Sequence, residues 1–103
     1  MDIETRVYTR YSILTEDLNR IEVARLCREH RVDCTLYAGV GLFNGNIEES
    51  LTVVHLAPLE ANVREEIKAL ARDIKAENNQ REIWITEETV TLKKLLDNTP
   101  AIG

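Results

Sequence analysis

The chain has 103 residues, with 44% hydrophobic and 30% charged, the balance of one soluble globular domain and not of a disordered or fibrous chain. A formal net charge of −5 argues against a nucleic-acid polymer as partner, because phosphate contacts need a basic surface. No apolar run is long enough to span a bilayer, and the opening MDIETRVYTRY lacks the basic start and apolar middle of a signal peptide. No membrane partner is expected, and a cytoplasmic location follows as the default.

RVYTRYSIL, residues 6–14, is rich in β-branched and aromatic residues and reads as a first strand. Val7, Thr9, Tyr11 and Ile13 share one face; Tyr8, Arg10, Ser12 and Leu14 share the other. DLNRIEVARLCREH then carries helix signals. Asn19 with Glu22 fits a capping box, and Leu18 with Val23 fits a hydrophobic staple. Thr15 is a rival cap. Val23, Leu26, Cys27 and His30 follow the spacing of one buried helical stripe.

CTLYAGVGLFNGNIEESLTVVHL holds the strongest local signal. Asn44-Gly45 between two strand-like runs predicts a two-residue hairpin turn, since both positions must tolerate positive φ. That turn fixes the register. Phe43 faces Asn46, Gly41 faces Glu48, Gly39 faces Ser50 and Tyr37 faces Thr52. On the opposite face Leu42 meets Ile47, Val40 meets Glu49, Ala38 meets Leu51 and Leu36 meets Val53. The second set is apolar and is expected beneath the helices. The first set, with bare backbone and aromatic rings, is expected to stay uncovered.

LEANVREEIKALARDIKAENNQ predicts a second helix with the stripe Val63, Ile67, Leu70, Ala71 and Ile74. Pro58 blocks an earlier start, and Asn78 or Asn79 can end it in the left-handed conformation. REIWITEETVTL gives a last strand with Ile83 and Ile85 on one side and Trp84 and Thr86 on the other. Glu87-Glu88 reads as a solvated turn. Residues 91–103 read as a tail that adds an edge strand, a turn of helix or a docking arm. The order strand, helix, strand, strand, helix, strand is the split βαβ, ferredoxin-like arrangement. The expected fold is therefore α+β: a four-stranded antiparallel sheet with two helices on one face, as a single domain over 1–103 with its core in about 6–90.

Gly39, Gly41 and Gly45 do not make a phosphate loop. Their spacing matches neither the dinucleotide fingerprint nor the P-loop, and they run into a hairpin where those motifs need a helix N-terminus. Gly45 is the turn glycine. Gly39 and Gly41 lie two apart on the uncovered face and open a groove between Tyr37 and Phe43, for a neighbouring subunit or a ligand. Tyr8, Tyr37, Phe43 and Trp84 all fall on or near that face, a patch a soluble monomer rarely leaves in water. Oligomerisation through the sheet resolves this; a tail folded back over the sheet is the alternative.

Catalytic residues are not found: no Ser-His-Asp set and no Cys-His pair stands out. Nor does a metal or cofactor site. His30 caps the first helix and supports its C-terminal dipole. His55 reads as a sheltered structural residue, and Cys27 and Cys34 as buried, reduced thiols. Glu48 and Glu49 point to opposite faces and cannot work as a carboxylate pair. Anion binding fits better. Arg10 lies on the uncovered face, Arg81 precedes the last strand, and Lys93 and Lys94 follow it. Across subunits such residues can converge on one phosphate-bearing ligand, with the aromatics stacking on a base.

With TLYAGVGLFNGNIEESLTVVHL set between two amphipathic helices, the chain resembles the PII-like proteins. The resemblance implies a compact homo-oligomer, commonly a trimer, that binds nucleotides or other small metabolites in clefts between subunits and relays a signal without chemistry. The chain departs from the signalling PII proteins in replacing their long loop between the second and third strands with the Asn44-Gly45 turn. That favours a passive ligand holder over an effector-docking protein. The hairpin also looks like those of small phage proteins that sequester nucleotide signals of bacterial immunity.

The expectation is thus a non-enzymatic homo-oligomer binding a small anionic, nucleotide-like ligand through Arg10, Tyr37, Gly39, Gly41, Phe43, Arg81 and Trp84. One alternative is a dimeric ferredoxin-like enzyme with His55 or Tyr11 facing a cavity. The other is a protein–protein adaptor docking another chain on the uncovered face.

Overall fold

A computed structural model describes residues 2–97. Six elements follow in the expected order: β1 (Asp2–Glu16), α1 (Arg20–Glu29), β2 (Thr35–Phe43), β3 (Asn46–Pro58), α2 (Arg64–Glu77) and β4 (Trp84–Leu96). The strands form one antiparallel sheet in the order β2-β3-β1-β4. The fold is ferredoxin-like α+β, with both helices on one face.

The helices are set by their ends. Asn19 caps α1, its Oδ1 accepting from the Glu22 amide at 3.3 Å. The reciprocal half of the capping box is missing, because the Glu22 carboxylate pairs with Arg25. Leu18 stays exposed, so no staple closes over the cap. Both helices end in a Schellman turn. In α1 the amides of Arg31 and Val32 reach the carbonyls of Arg28 and Cys27; in α2 those of Asn79 and Gln80 reach Ala76 and Lys75. The left-handed residue is Arg31 in the first and Asn79 in the second.

The core lies between the helices and the middle of the sheet. Val23, Leu26 and Cys27 of α1 and Ile67, Leu70, Ala71 and Ile74 of α2 are buried against Tyr11, Ile13, Leu51, Val53 and Ala57. Cys27 and Cys34 are free. A hydrogen bond to Cys27, together with burial, pushes the Cys34 thiol far up and holds it protonated, as befits a packing residue.

The Asn44-Gly45 turn forms with φ of 52° and 79°, and the β2–β3 register is the one the turn dictates, from Phe43 opposite Asn46 to Thr35 opposite Val54. Three expectations need correction. Val40, Leu42 and Ile47 do not lie under the helices: they are 71%, 72% and 74% exposed. The pairing of β1 with β3 stops at Glu16–Ser50, so the rest of the hairpin projects past the helices as a two-stranded arm. Glu87 and Glu88 are not a turn. They sit inside β4 opposite Tyr11 and Arg10, held by cations on either face: Arg64 reaches Glu87 at 2.7 and 3.1 Å, and Arg10 reaches Glu88 at 2.9 Å. Residues 91–96 are not a tail but the end of β4, with Lys93 and Lys94 opposite Thr5 and Glu4, so these residues do not fold back over the sheet. The rest of the expected tail, 98–103, lies outside the described residues.

Candidate functional site

The sheet register places Tyr8, Arg10, Leu14, Tyr37, Gly39, Gly41, Phe43 and Trp84 on the uncovered face. Along it the residues separate. A cleft of about 680 Å³ opens where β1 ends, where the arm leaves the body and where the chain returns from α2 into β4. Gly41, Phe43, Arg81 and Trp84 line it. The structure thus brings together four of the seven residues singled out by sequence.

The other three stand apart. Tyr37 and Gly39 share the face but are not in the cleft wall. Arg10 sits farther along β1, opposite Leu56, engaged with Glu88. Lys93 and Lys94 lie near the far end of the sheet. Within this chain, then, the expected cations do not converge; among the described residues, only Arg81 of them lines the cleft.

Trp84 and Phe43 are 63% and 56% exposed, so the cleft offers two aromatic surfaces to a ligand. Gly41 has a local reason. A Cβ there would fall 2.5 Å from Phe43 Cε2 and 3.1 Å from Cζ; the ring lies across the glycine, filling part of the groove read from the sequence. Gly39 has no such constraint, since a Cβ would meet only Ser50 Oγ at 3.4 Å.

The inner wall comes from long-range pieces. Asn78, at the C-cap of α2, donates from Nδ2 to Thr15 Oγ1 at 2.9 Å and to the Glu16 carbonyl at 3.2 Å. Thr15 Oγ1 in turn donates to Gln80 Oε1. This network ties the end of α2 to the end of β1 and holds the Arg81–Trp84 segment against the sheet. Glu16, Glu48, Asn78, Gln80 and Glu82 all line the cleft. Sequence reading missed them as site residues. Only Glu48 carried a signal, since the hairpin register put it on the uncovered face.

Neither histidine reaches the cleft. His55 Nδ1 donates to the Asp33 carbonyl at 2.7 Å, and Tyr11 is buried in the core; neither faces the cavity an enzyme built on them needs. His30 ends α1 as expected and also clasps α2. Its Nδ1 and Nε2 donate to Glu66 at 2.5 Å and Asp73 at 2.6 Å. Burial disfavours the imidazolium, but the two carboxylates outweigh it and raise the His30 pKa. Among the described residues no group of His, Cys, Asp and Glu is placed to hold a metal ion, and no helix is long and apolar enough to cross a membrane.

Solved structures resemble this architecture along nearly its whole length. CPII, a nitrogen regulatory PII-like protein from Thiomonas intermedia K12 solved with ADP, AMP and bicarbonate, superposes with a TM-score of 0.59 at 9% identity over 90% of this chain and 100% of that one. Its apo form gives 0.61 at 11% identity over 91% and 100%. A phage SAM lyase in complex with S-methyl-5′-thioadenosine gives 0.62 at 11% identity over 84% and 90%. This is a PII-like fold. No protein-family model matches the chain, and no curated protein matches it.

Proposed function

We propose that the chain assembles as a homo-oligomer and binds a small nucleoside- or nucleotide-like ligand, without chemistry, at the cleft beside Trp84 where a neighbouring subunit completes the site. The observation that carries this reading is the pair of exposed rings, Trp84 and Phe43, in one cleft of about 680 Å³ at the end of the sheet, beside the C-terminal end of α2. That volume suits a drug-sized ligand, and base stacking is the ordinary use of such rings. The exposed apolar side chains of the arm and the sheet support assembly, a trimer by resemblance to PII-like proteins. The solved neighbours support the ligand class: CPII is described with ADP and AMP, and the phage lyase with a thioadenosine. An anionic ligand would need cations from the neighbouring subunit, since Arg10 is engaged with Glu88. The short turn at Asn44-Gly45 suits storage or sequestration better than effector docking, and two free thiols suit the cytoplasm.

Native mass spectrometry reads the subunit count and any retained small molecule. A thermal-shift panel of nucleosides and nucleotides reads binding, because ligand at 100 times Kd stabilises the folded form by about 2.7 kcal/mol. Trp84→Ala and Phe43→Ala should abolish the shift without lowering the melting temperature of the free protein. A monomer with no shift for any nucleoside overturns the reading.

A further inference from the structure

The charged side chains lining the described part of the cleft are mostly acidic. Glu16, Glu48, Glu49 and Glu82 line it against a single guanidinium, Arg81. Glu16, Glu48 and Glu82 make no ion pair among the described residues. A second observation is independent of these charges. Asn78 lines the same cleft and is only 8% exposed, yet its Oδ1 has no hydrogen-bond partner among the described residues. Its Nδ2 is fully used on Thr15 and Glu16, so turning the amide over would only exchange one orphan for another. A buried carbonyl oxygen without a donor is costly, and a ligand N–H is what would satisfy it. Beside these acceptors stand Trp84 and Phe43, whose ring faces attract cations.

We propose that this cleft selects a ligand carrying a positive charge: an organic cation of the ammonium type. Its donor-bearing end meets Glu16, Glu82 and Asn78 Oδ1, and its apolar part lies against Trp84. The inference rests on the ligand-holder reading above and sharpens it. A polyphosphate would set its own charge against the carboxylates. A nucleoside with a cationic 5′ end would not, and would gain from each of them.

The test is calorimetric titration of the full chain, in its own oligomeric state, with adenosine, AMP and 5′-amino-5′-deoxyadenosine. These share a base and differ in charge at the 5′ position. The aminonucleoside should bind about tenfold tighter than adenosine, and AMP more weakly than either; added salt should narrow the spread. The E16Q/E82Q variant, checked for unchanged circular dichroism, should weaken the aminonucleoside about tenfold, to the affinity the unaltered chain shows for adenosine. AMP binding as tightly as the aminonucleoside overturns this inference while the nucleoside reading stands. If all three ligands fail, the nucleoside reading falls, and benzylammonium chloride, which keeps a ring, the positive charge and the N–H donors, then tests the cation site. Its binding, lost in E16Q/E82Q, upholds the cation site; its failure sinks it.

Discussion

The two halves of the β2–β3 hairpin carry the same alternation and opposite fates. Near the body, Leu51 and Val53 are buried beneath the helices; toward the turn, Val40, Leu42 and Ile47 repeat the same apolar face and stand in solvent. Strand periodicity decides which face a side chain points to. Whether anything covers that face depends on how far the neighbouring elements run. Here β1 stops pairing at Glu16 and α1 has only ten residues, so the layer ends while the hairpin continues. A two-stranded ribbon is marginal by itself in water. Under the proposed assembly its apolar outer half is where another chain would add stability, and its inner half is where this chain is self-sufficient.

The comparison breaks most sharply under mutation of one residue from each half of the molecule. Ile74→Ala, at a fully buried position of α2, should cost about 2–5 kcal/mol in transfer and cavity terms. It should do so at every protein concentration. Leu42→Ser should change the dilute protomer by less than about 0.5 kcal/mol, and its penalty should grow as concentration rises and assembly contributes. Urea melts of both variants across a range of concentrations separate the two behaviours. Equal, concentration-independent losses would mean that the arm is packed within its own chain.

A smaller effect tests the arm's geometry. Gly45 has φ of 79° and an added Cβ would touch nothing within 4 Å, so the cost of Gly45→Ala is backbone strain alone, about 1–2 kcal/mol. Backbone amide shifts should move in residues 40–49 and stay fixed in the helices. Shifts spreading into α2 would show that the turn sets more than the arm.

The same contrast explains what could be read in the sequence. The element order, the hairpin register, the Asn19 cap and the Asn79 stop follow from local chemistry: turn residues, caps and stripes within a few positions of one another. Trp84, Phe43 and Gly41 were placed on the uncovered face because alternation carries that information, whereas Arg81 was read only as preceding the last strand. The inner wall of the cleft did not, since Asn78, Gln80 and Glu16 meet only when the end of α2 folds back on the end of β1. Glu87 and Glu88 misled for a related reason. Glutamate is a poor strand former, and their partners Arg64 and Arg10 are distant in sequence. The left-handed turn after α1 was also hidden, because Arg31 stands where glycine is usual.

The smallest predicted effect concerns the helix layer and has no counterpart in the arm. His30 lies between Glu66 and Asp73, and a ring hydrogen-bonded to two ionised carboxylates must carry both protons. Its pKa is raised in the folded protein by those carboxylates, against the pull of burial. A group whose folded pKa exceeds its unfolded value stabilises most below the unfolded value, about 6.5 for histidine, and loses that contribution as pH rises through the folded value. Stability should therefore decline as pH climbs above neutrality, by about 1 kcal/mol or less for a clasp this close to solvent. His30→Gln should flatten the slope, because the amide keeps a hydrogen bond but cannot titrate. Urea midpoints of the two proteins between pH 6 and pH 9 decide it. A slope that persists in His30→Gln would place the titrating group elsewhere and leave the joining of α1 to α2 to packing alone.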